Sequence, residues 1–464
     1  MFYLVNHNKP LRLLLPSIAL SMAISVSANA QQAIPKPTPA QVQWQKKETT
    51  AFLHFSVNTF TDREWGTGKE SPAIFNPEKL DARQWIKALK DAGFKMAIIT
   101  AKHHDGFCLW PSQYTEHSVK NSPWKNGKGD VVKEVADACK EYGVAFGFYL
   151  SPWDMHEASY GTPAYNDYYK NQLRELLTNY GEVAEVWFDG AKGEKQKDMQ
   201  YDFEGYWKMV RELQPNAVMF SDVGPDVRWV GNEKGNAGDT CWSTINTDGM
   251  MPGVANPAYL NKGDENGQQW IPAETDVSIR PGWFWHEKQN SQVRSAKNLV
   301  NLYYQSVGRN SLLLLNIPPN KDGLLETADM KAIDSFRTIL NKTFAQNLLK
   351  GAVSSKLVDN DLASFVSLKE NEALEFSLKK SISFDRLLLQ ENIHNGQSIK
   401  SGLLEYWDGN TWQVITSFST VGYKRLLRFP IVNSNKLRLT ITSATYKDQI
   451  QLAEIGVFKS FAGE

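Results

Sequence analysis

Between residues 51 and 220 short apolar runs alternate with amphipathic helical stretches, and this alternation limits the fold more than any other feature. The run 51–55 reads as a strand. A helix is expected over 81–92, capped by Asp81 and stopped by Gly93. The pattern then repeats: strand 95–100, helix 130–142 ended by Gly143, strand 144–150, helix 165–180 ended by Gly181. A further strand runs through 183–186 into Trp187-Phe188-Asp189-Gly190, followed by a helix over 202–213 and a strand over 217–220. Strands this uniformly apolar belong to a parallel sheet covered on both faces. Strict alternation over this length predicts an α/β class, a (β/α)8-like barrel rather than an open doubly wound sheet. No Gly-x-Gly-x-x-Gly follows the first strand, which argues against a dinucleotide fold.

After Ser221 the pattern weakens. Residues 222–290 are rich in Gly, Asn, Trp and Pro, so irregular or missing helices are expected in the second half of the barrel. A helix over 291–306, a strand over 311–316 and a helix over 327–340 then close the domain. From about residue 350 helical periodicity gives way to short strand-like runs at 374–378, 384–389, 403–407 and 437–441, with a turn signal at Asp408-Gly409-Asn410. The expected domains are therefore a catalytic barrel over 49–345 and an all-β sandwich over 350–464, preceded by a Pro- and Gln-rich linker over 31–48.

Residues 1–30 read as a secretory signal peptide. Lys9 and Arg12 carry positive charge, 13–26 is apolar, and Ala28-Asn29-Ala30 offers a small-x-small cleavage site after Ala30. This predicts a secreted or periplasmic protein without stable membrane insertion. The 464 residues carry 51 basic and 51 acidic side chains, and zero net charge gives no reason to expect a nucleic-acid partner. Three cysteines, Cys108, Cys139 and Cys241, are an odd number and no disulfide framework; buried free thiols are expected.

Polar residues gather where the predicted strands end. His54 ends the first strand, with Glu64-Trp65 in the loop after it. Lys102-His103-His104-Asp105-Gly106-Phe107 follows the second, Tyr149 ends the third, and Trp187 and Asp189 end the fourth. Barrel sites are built at strand C-termini. Imidazoles and carboxylates between aromatic walls suit a sugar, because neutral imidazole both donates and accepts. The histidine pair lacks the spacing of a zinc site, so neither metal nor cofactor is expected. There is no Gly-x-Ser-x-Gly elbow and no phosphate-binding lysine loop. Carboxylate chemistry remains, with Asp189 as nucleophile and an acid/base that spacing leaves open between Glu233 and Glu274.

On these residues the chain resembles the α-L-fucosidases of glycoside hydrolase family 29. The likeness covers roughly 45–345 and rests on His54 with Glu64-Trp65, on His103 through Phe107, on Trp187-Phe188-Asp189, and on the segment from Arg228 to Glu233. The resemblance implies a retaining exo-glycosidase without a metal, with Asp189 attacking the anomeric carbon. It implies that His54, Glu64, Trp65, His103, His104, Tyr149 and Arg228 hold fucose and that Trp283 packs near its methyl group. The stretches 224–233 and 272–283 look like the branch restricted to α-1,3/4-linked fucose on branched, Lewis-type oligosaccharides. In that branch Glu233 matches the acid/base, and Glu274 and Arg280 become candidates for contacts to a neighbouring galactose. The C-terminal region, from the strand at 437–441 to Phe458, looks like a discoidin-type, galactose-binding-like sandwich. The competing readings are a fucosidase of relaxed specificity and a non-catalytic glycan-binding protein. The oligomeric state is left open.

Overall fold

The computed structural model describes residues 33–193 and 198–464, of which Ile34–Glu464 form one compact unit. The expected signal segment lies outside the described residues. The expected linker contains a helix, α1 (Pro39–Gln45), started by a reciprocal capping box between Thr38 and Gln41. Its amphipathic face, Val42 and Trp44, is buried. Gln41 donates to the carbonyls of Asp226 (2.8 Å) and Trp270 (2.7 Å), which fixes α1 across the end of the barrel where the strands begin.

The barrel then follows in chain order: β1 (Thr49–Leu53), α2 (Val57–Thr61), α3 (Ala82–Asp91), β2 (Met96–Lys102), α4 (Val131–Tyr142), β3 (Ala145–Leu150), α5 (Ala164–Asn179), β4 (Glu185–Trp187), α6 (Phe203–Leu213) and β5 (Val218–Ser221). Asp81, Asp130 and Asp202 cap α3, α4 and α6 through their carboxylates. No helix separates β5 from β6 (Val227–Trp229). A small hairpin, β7 (Thr244–Ile245) with β8 (Gln269–Trp270), and the short α7 (Pro257–Lys262) stand between β6 and β9 (Ala273–Ser278). α8 (Ala296–Gln305), β10 (Ser311–Asn316) and α9 (Thr327–Thr343) complete the domain. The eight long-axis strands close in the order β1-β10-β9-β6-β5-β4-β3-β2, all neighbours parallel. The barrel is filled by Phe52, Met96, Ile98, Tyr149, Trp187, Val218, Phe220, Val227, Leu312 and Leu314, with Trp44 of α1 entering from below.

The C-terminal strands are β11 (Val366–Leu368), β12 (Ala373–Glu391), β13 (Ile399–Trp407), β14 (Trp412–Phe418), β15 (Arg425–Ala444) and β16 (Ile450–Phe458). Hydrogen bonding links all six as an antiparallel domain, as expected, in the order β11-β16-β12-β15-β13-β14. β12 and β15 run 19 and 20 residues through bulges that bend them. Their alternate apolar residues build a second core around Phe384, Leu387, Leu404, Leu439 and Ile455. This sheet is bonded to the barrel at Asn310, which donates to Gln397 Oε1 (3.1 Å) and accepts from the Tyr423 backbone (2.7 Å), and at Glu48, which receives Tyr423 and Lys424.

Candidate active site

Strand parity aims the central carboxylate. In β4 Glu185 and Trp187 point into the barrel, and Asp189, two residues further, continues the same face at the mouth. Tyr149 donates its hydroxyl to Asp189 Oδ2 at 3.0 Å, and the Ala191 N–H donates to Oδ1 at 2.8 Å. His104 Nε2 lies 3.9 Å from Oδ2. A cavity of about 520 Å³ opens here, lined in part by Trp187, Asp189, Asp222, Trp229, Glu233 and Asp276.

Four carboxyls therefore face one space, and they affect each other. Glu233, in the loop after β6, has its carboxyl raised by burial and then by the Asp189 charge. Asp276, inward on β9, is pushed well up, first by burial and then by Glu233, although Trp229 Nε1 donates to it at 2.9 Å. Asp222 is raised to about 6 by burial, against the Gly253 N–H that it accepts at 2.7 Å. Glu233 and Asp276 thus hold protons more tightly than ordinary carboxyls, which is what a general acid requires.

Three imidazoles group beside Asp189: His104 adjoins His103, with ring centroids 4.2 Å apart, and His103 adjoins His54 at 5.6 Å. His54 faces Asn316 Oδ1 through Nδ1 at 2.8 Å, so that nitrogen carries the hydrogen and Nε2 is left as an acceptor. Burial lowers His54 to about 3 and lowers His103 and His104 as well, so all three are neutral near pH 7. His104 Nδ1 lies 2.7 Å from Ser151 Oγ, which donates to the Trp153 carbonyl. The Nδ1 of His103 has no partner among the described residues. Trp283 lies over His54 with ring centroids 5.1 Å apart. The Trp283 backbone N–H donates to Glu64 Oε2 at 2.8 Å, while Glu64 Oε1 meets His286 Nε2 at 2.6 Å. Trp65 is 66% exposed beside this group.

Three expected substrate contacts are elsewhere. Arg228, Glu274 and Arg280 are 0%, 0% and 1% exposed, which keeps all three from a sugar at the mouth. Arg228 lies between the inward Val227 and Trp229, so parity turns it outward. It donates to the carbonyls of Leu260 (2.9 Å), Trp242 (2.8 Å) and Ile271. Arg280 is paired with Asp329 at 2.9 Å and bonded to Asn290. Glu274 does point inward, but beneath the floor, where it accepts from Trp187 Nε1 at 2.8 Å. The sequence reading also missed Asp222, Asp276, Trp229 and Asn316. Asp222 directly follows β5 and Asn316 ends β10, so the strand-end rule would have found both. Asp276 shares parity with Glu274, which only a known register reveals.

A sequence profile described as alpha-L-fucosidase matches residues 28–343. Alpha-L-fucosidase 1 of Arabidopsis thaliana is 49% identical over 433 residues, covering 89% of this chain and 85% of the relative. The crystal structure of a glycoside hydrolase 29 family member from a rumen bacterium superposes with a TM-score of 0.85 at 43% identity, over 93% of this chain and 78% of that one. A Ruminococcus gnavus family 29 fucosidase, solved in complex with fucose, gives a TM-score of 0.85 at 34% identity over 93% and 96% of the two chains. With neutral histidines beside a cluster of carboxyls at the mouth of a closed barrel, and with likeness extending over nearly the whole described chain, this protein belongs to the alpha-L-fucosidases of glycoside hydrolase family 29.

Proposed function

We propose that this α-L-fucosidase works by double displacement with retention, that Asp189 is the nucleophile and Glu233 the acid/base, and that it removes α-1,3/4-linked fucose from branched, Lewis-type oligosaccharides. The observation that carries the mechanism is that Asp189 lines one cavity with Glu233, whose carboxyl is raised by burial and then by the Asp189 charge. Protonated Glu233 donates to the departing glycosidic oxygen as Asp189 forms the fucosyl ester; Glu233 then takes a proton from water, which attacks C1 and releases the ester. The neutral His54, His103 and His104, with Tyr149, bind the sugar hydroxyls. Trp187 supplies the floor, and Trp283, Glu64 and Trp65 the rim.

The linkage preference rests on the stretches 224–233 and 272–283. With Glu274 and Arg280 buried, the second sugar is left to exposed rim residues such as Trp65 and Val254. The C-terminal sheet, discoidin-like in its sequence, serves as a buttress bonded to the barrel rather than as a separate glycan reader. Residues 1–30 direct export, which N-terminal sequencing of the mature protein tests.

The deciding experiment compares a Lewis-type trisaccharide, an α-1,2-fucosylated glycan and an aryl α-L-fucoside, with the first-formed anomer followed by NMR. Release of α-fucose from the trisaccharide, with little from the α-1,2 glycan, supports the proposal. A β-fucose first product, or full activity of Asp189→Asn, overturns the mechanism. Equal turnover of all three substrates overturns the restricted linkage.

A further inference from the structure

Beneath the pocket the barrel holds two acids that the reaction does not touch. Glu185, first residue of β4, and Glu274, inward on β9, are both fully buried. Trp44 of α1 donates its indole N–H to Glu185 Oε2 at 2.7 Å from below, and Trp187 donates to Glu274 Oε1 at 2.8 Å from above. The remaining oxygens, Glu185 Oε1 and Glu274 Oε2, receive no N–H or hydroxyl donor among the described residues. Each carboxyl is thus left one donor short, and the two act on each other's charge.

Two carboxyls enclosed without enough donors in a dry interior disfavour double ionisation, and a proton shared between them would satisfy both orphan oxygens at once. We propose that Glu185 and Glu274 are positioning residues which share one proton inside the barrel and, through the Glu274–Trp187 bond, fix the Trp187 indole as the pocket floor beneath Asp189. The acidities agree with the geometry. Burial raises Glu185 to about 7, and burial with the Glu185 charge raises Glu274 well above its usual range.

Barrel interiors are ordinarily filled by branched aliphatic side chains, and a buried carboxyl pair is costlier than those. What the acids add is direction. Trp187 lies flat on Phe220, with centroids 4.0 Å apart and planes at 11°, a contact along which a ring can slide. The hydrogen bond at Nε1 stops that sliding. Trp187 is two residues from Asp189, and a misplacement of about 1 Å at a reacting group costs on the order of a hundredfold in rate. The inference rests on reading this cavity as the fucose site.

The test uses the whole enzyme and an aryl α-L-fucoside, with kcat, KM, thermal midpoint and near-UV circular dichroism recorded for each variant. Glu274→Gln keeps both a donor and an acceptor and is expected to retain kcat within about threefold, whereas Glu274→Met, similar in volume, is expected to lose about ten- to a hundredfold in kcat. In a double-mutant cycle, adding Glu274→Met to Trp187→Phe should cost nothing further, because the glutamate acts through that indole. Wild-type kcat in Glu274→Met, or independent losses in the cycle, overturns the proposal. If Glu274→Met does not fold, the infrared difference spectrum of wild type against Glu274→Gln decides. A protonated-carboxyl band lost in the variant supports the shared proton, and its absence from the difference rejects it. Asp189→Ala separates the two failures: activity surviving there sinks the site reading, while an inactive Asp189→Ala beside a fully active Glu274→Met sinks only this inference.

Discussion

Asp189 keeps its place because the next residue has no side chain. A Cβ on Gly190 would lie 2.2 Å from the Gly253 nitrogen and 2.7 Å from Asp222 Oδ2, so the loop carrying Gly253 rests directly on the backbone beside Asp189. Gly190→Ala must displace one or the other, and we expect kcat to fall about tenfold or more with a thermal midpoint within a few degrees of wild type. A Gly190→Ala enzyme of wild-type kcat would refute the close packing. At the same scale, His117 shows how burial makes stability depend on pH. It stacks on His156 with centroids 4.1 Å apart, and burial first, then His156, lowers it to about 4. The folded state therefore binds fewer protons than the unfolded state between about 6.5 and 4. Its contribution is fully present above that window and is lost as the pH falls through it. Replacing His117 with Asn should lower the midpoint at pH 7 yet flatten its decline between about pH 6.5 and 4, by roughly 1.4 kcal/mol for each unit of displacement removed. Parallel declines in the two proteins would reject the assignment.

Single elements explain what the sequence revealed and what it hid. The long strands and capped helices were legible because period and punctuation agree: β10 and the Asp-capped α3, α4 and α6 fall within a few residues of expectation. The strand-end rule alone singled out His54, Tyr149 and Asp189, which the fold brings close together. β6 defeats that rule. It has three residues and no preceding helix, so nothing in the sequence says that Arg228 faces outward. Glu274 and Arg280 were misjudged for a related reason, since depth along a barrel strand depends on register with its neighbours. α1 was missed because Pro and Gln dominate its surroundings and its only strong signal is Trp44. Gln41→Leu would strip two buried carbonyls of their donor, and a cost of about 1–3 kcal/mol in stability is expected. Calorimetry measures it, and an unchanged midpoint would mean that α1 docks through Trp44 alone.

Across the whole molecule, the C-terminal sheet is joined to the barrel by buried polar bonds rather than by a loose linker. Asn310 adopts φ 61°, a left-handed conformation that asparagine tolerates, and its side chain reaches Cys241, Ser243, Gln397 and Tyr423. Asn310→Ala should cost roughly 3 kcal/mol by leaving several of these groups unpaired. The loss should lower one common unfolding transition. Two separated transitions would instead mean that barrel and sheet unfold independently. Buttressing of this kind leaves no composition signal, because each contact joins residues far apart in the chain.

The docking of α1 has a consequence for how the protein is made. Its amide partners lie 185 and 229 positions downstream, so the helix cannot seat until the ribosome has synthesised past Trp270. A growing chain therefore keeps an indole and an open barrel end exposed until more than half of it has been made. If the chain crosses a membrane before that point, the same delay keeps it unfolded enough for translocation, and α1 then acts as a latch that cannot close before Trp270 has been made.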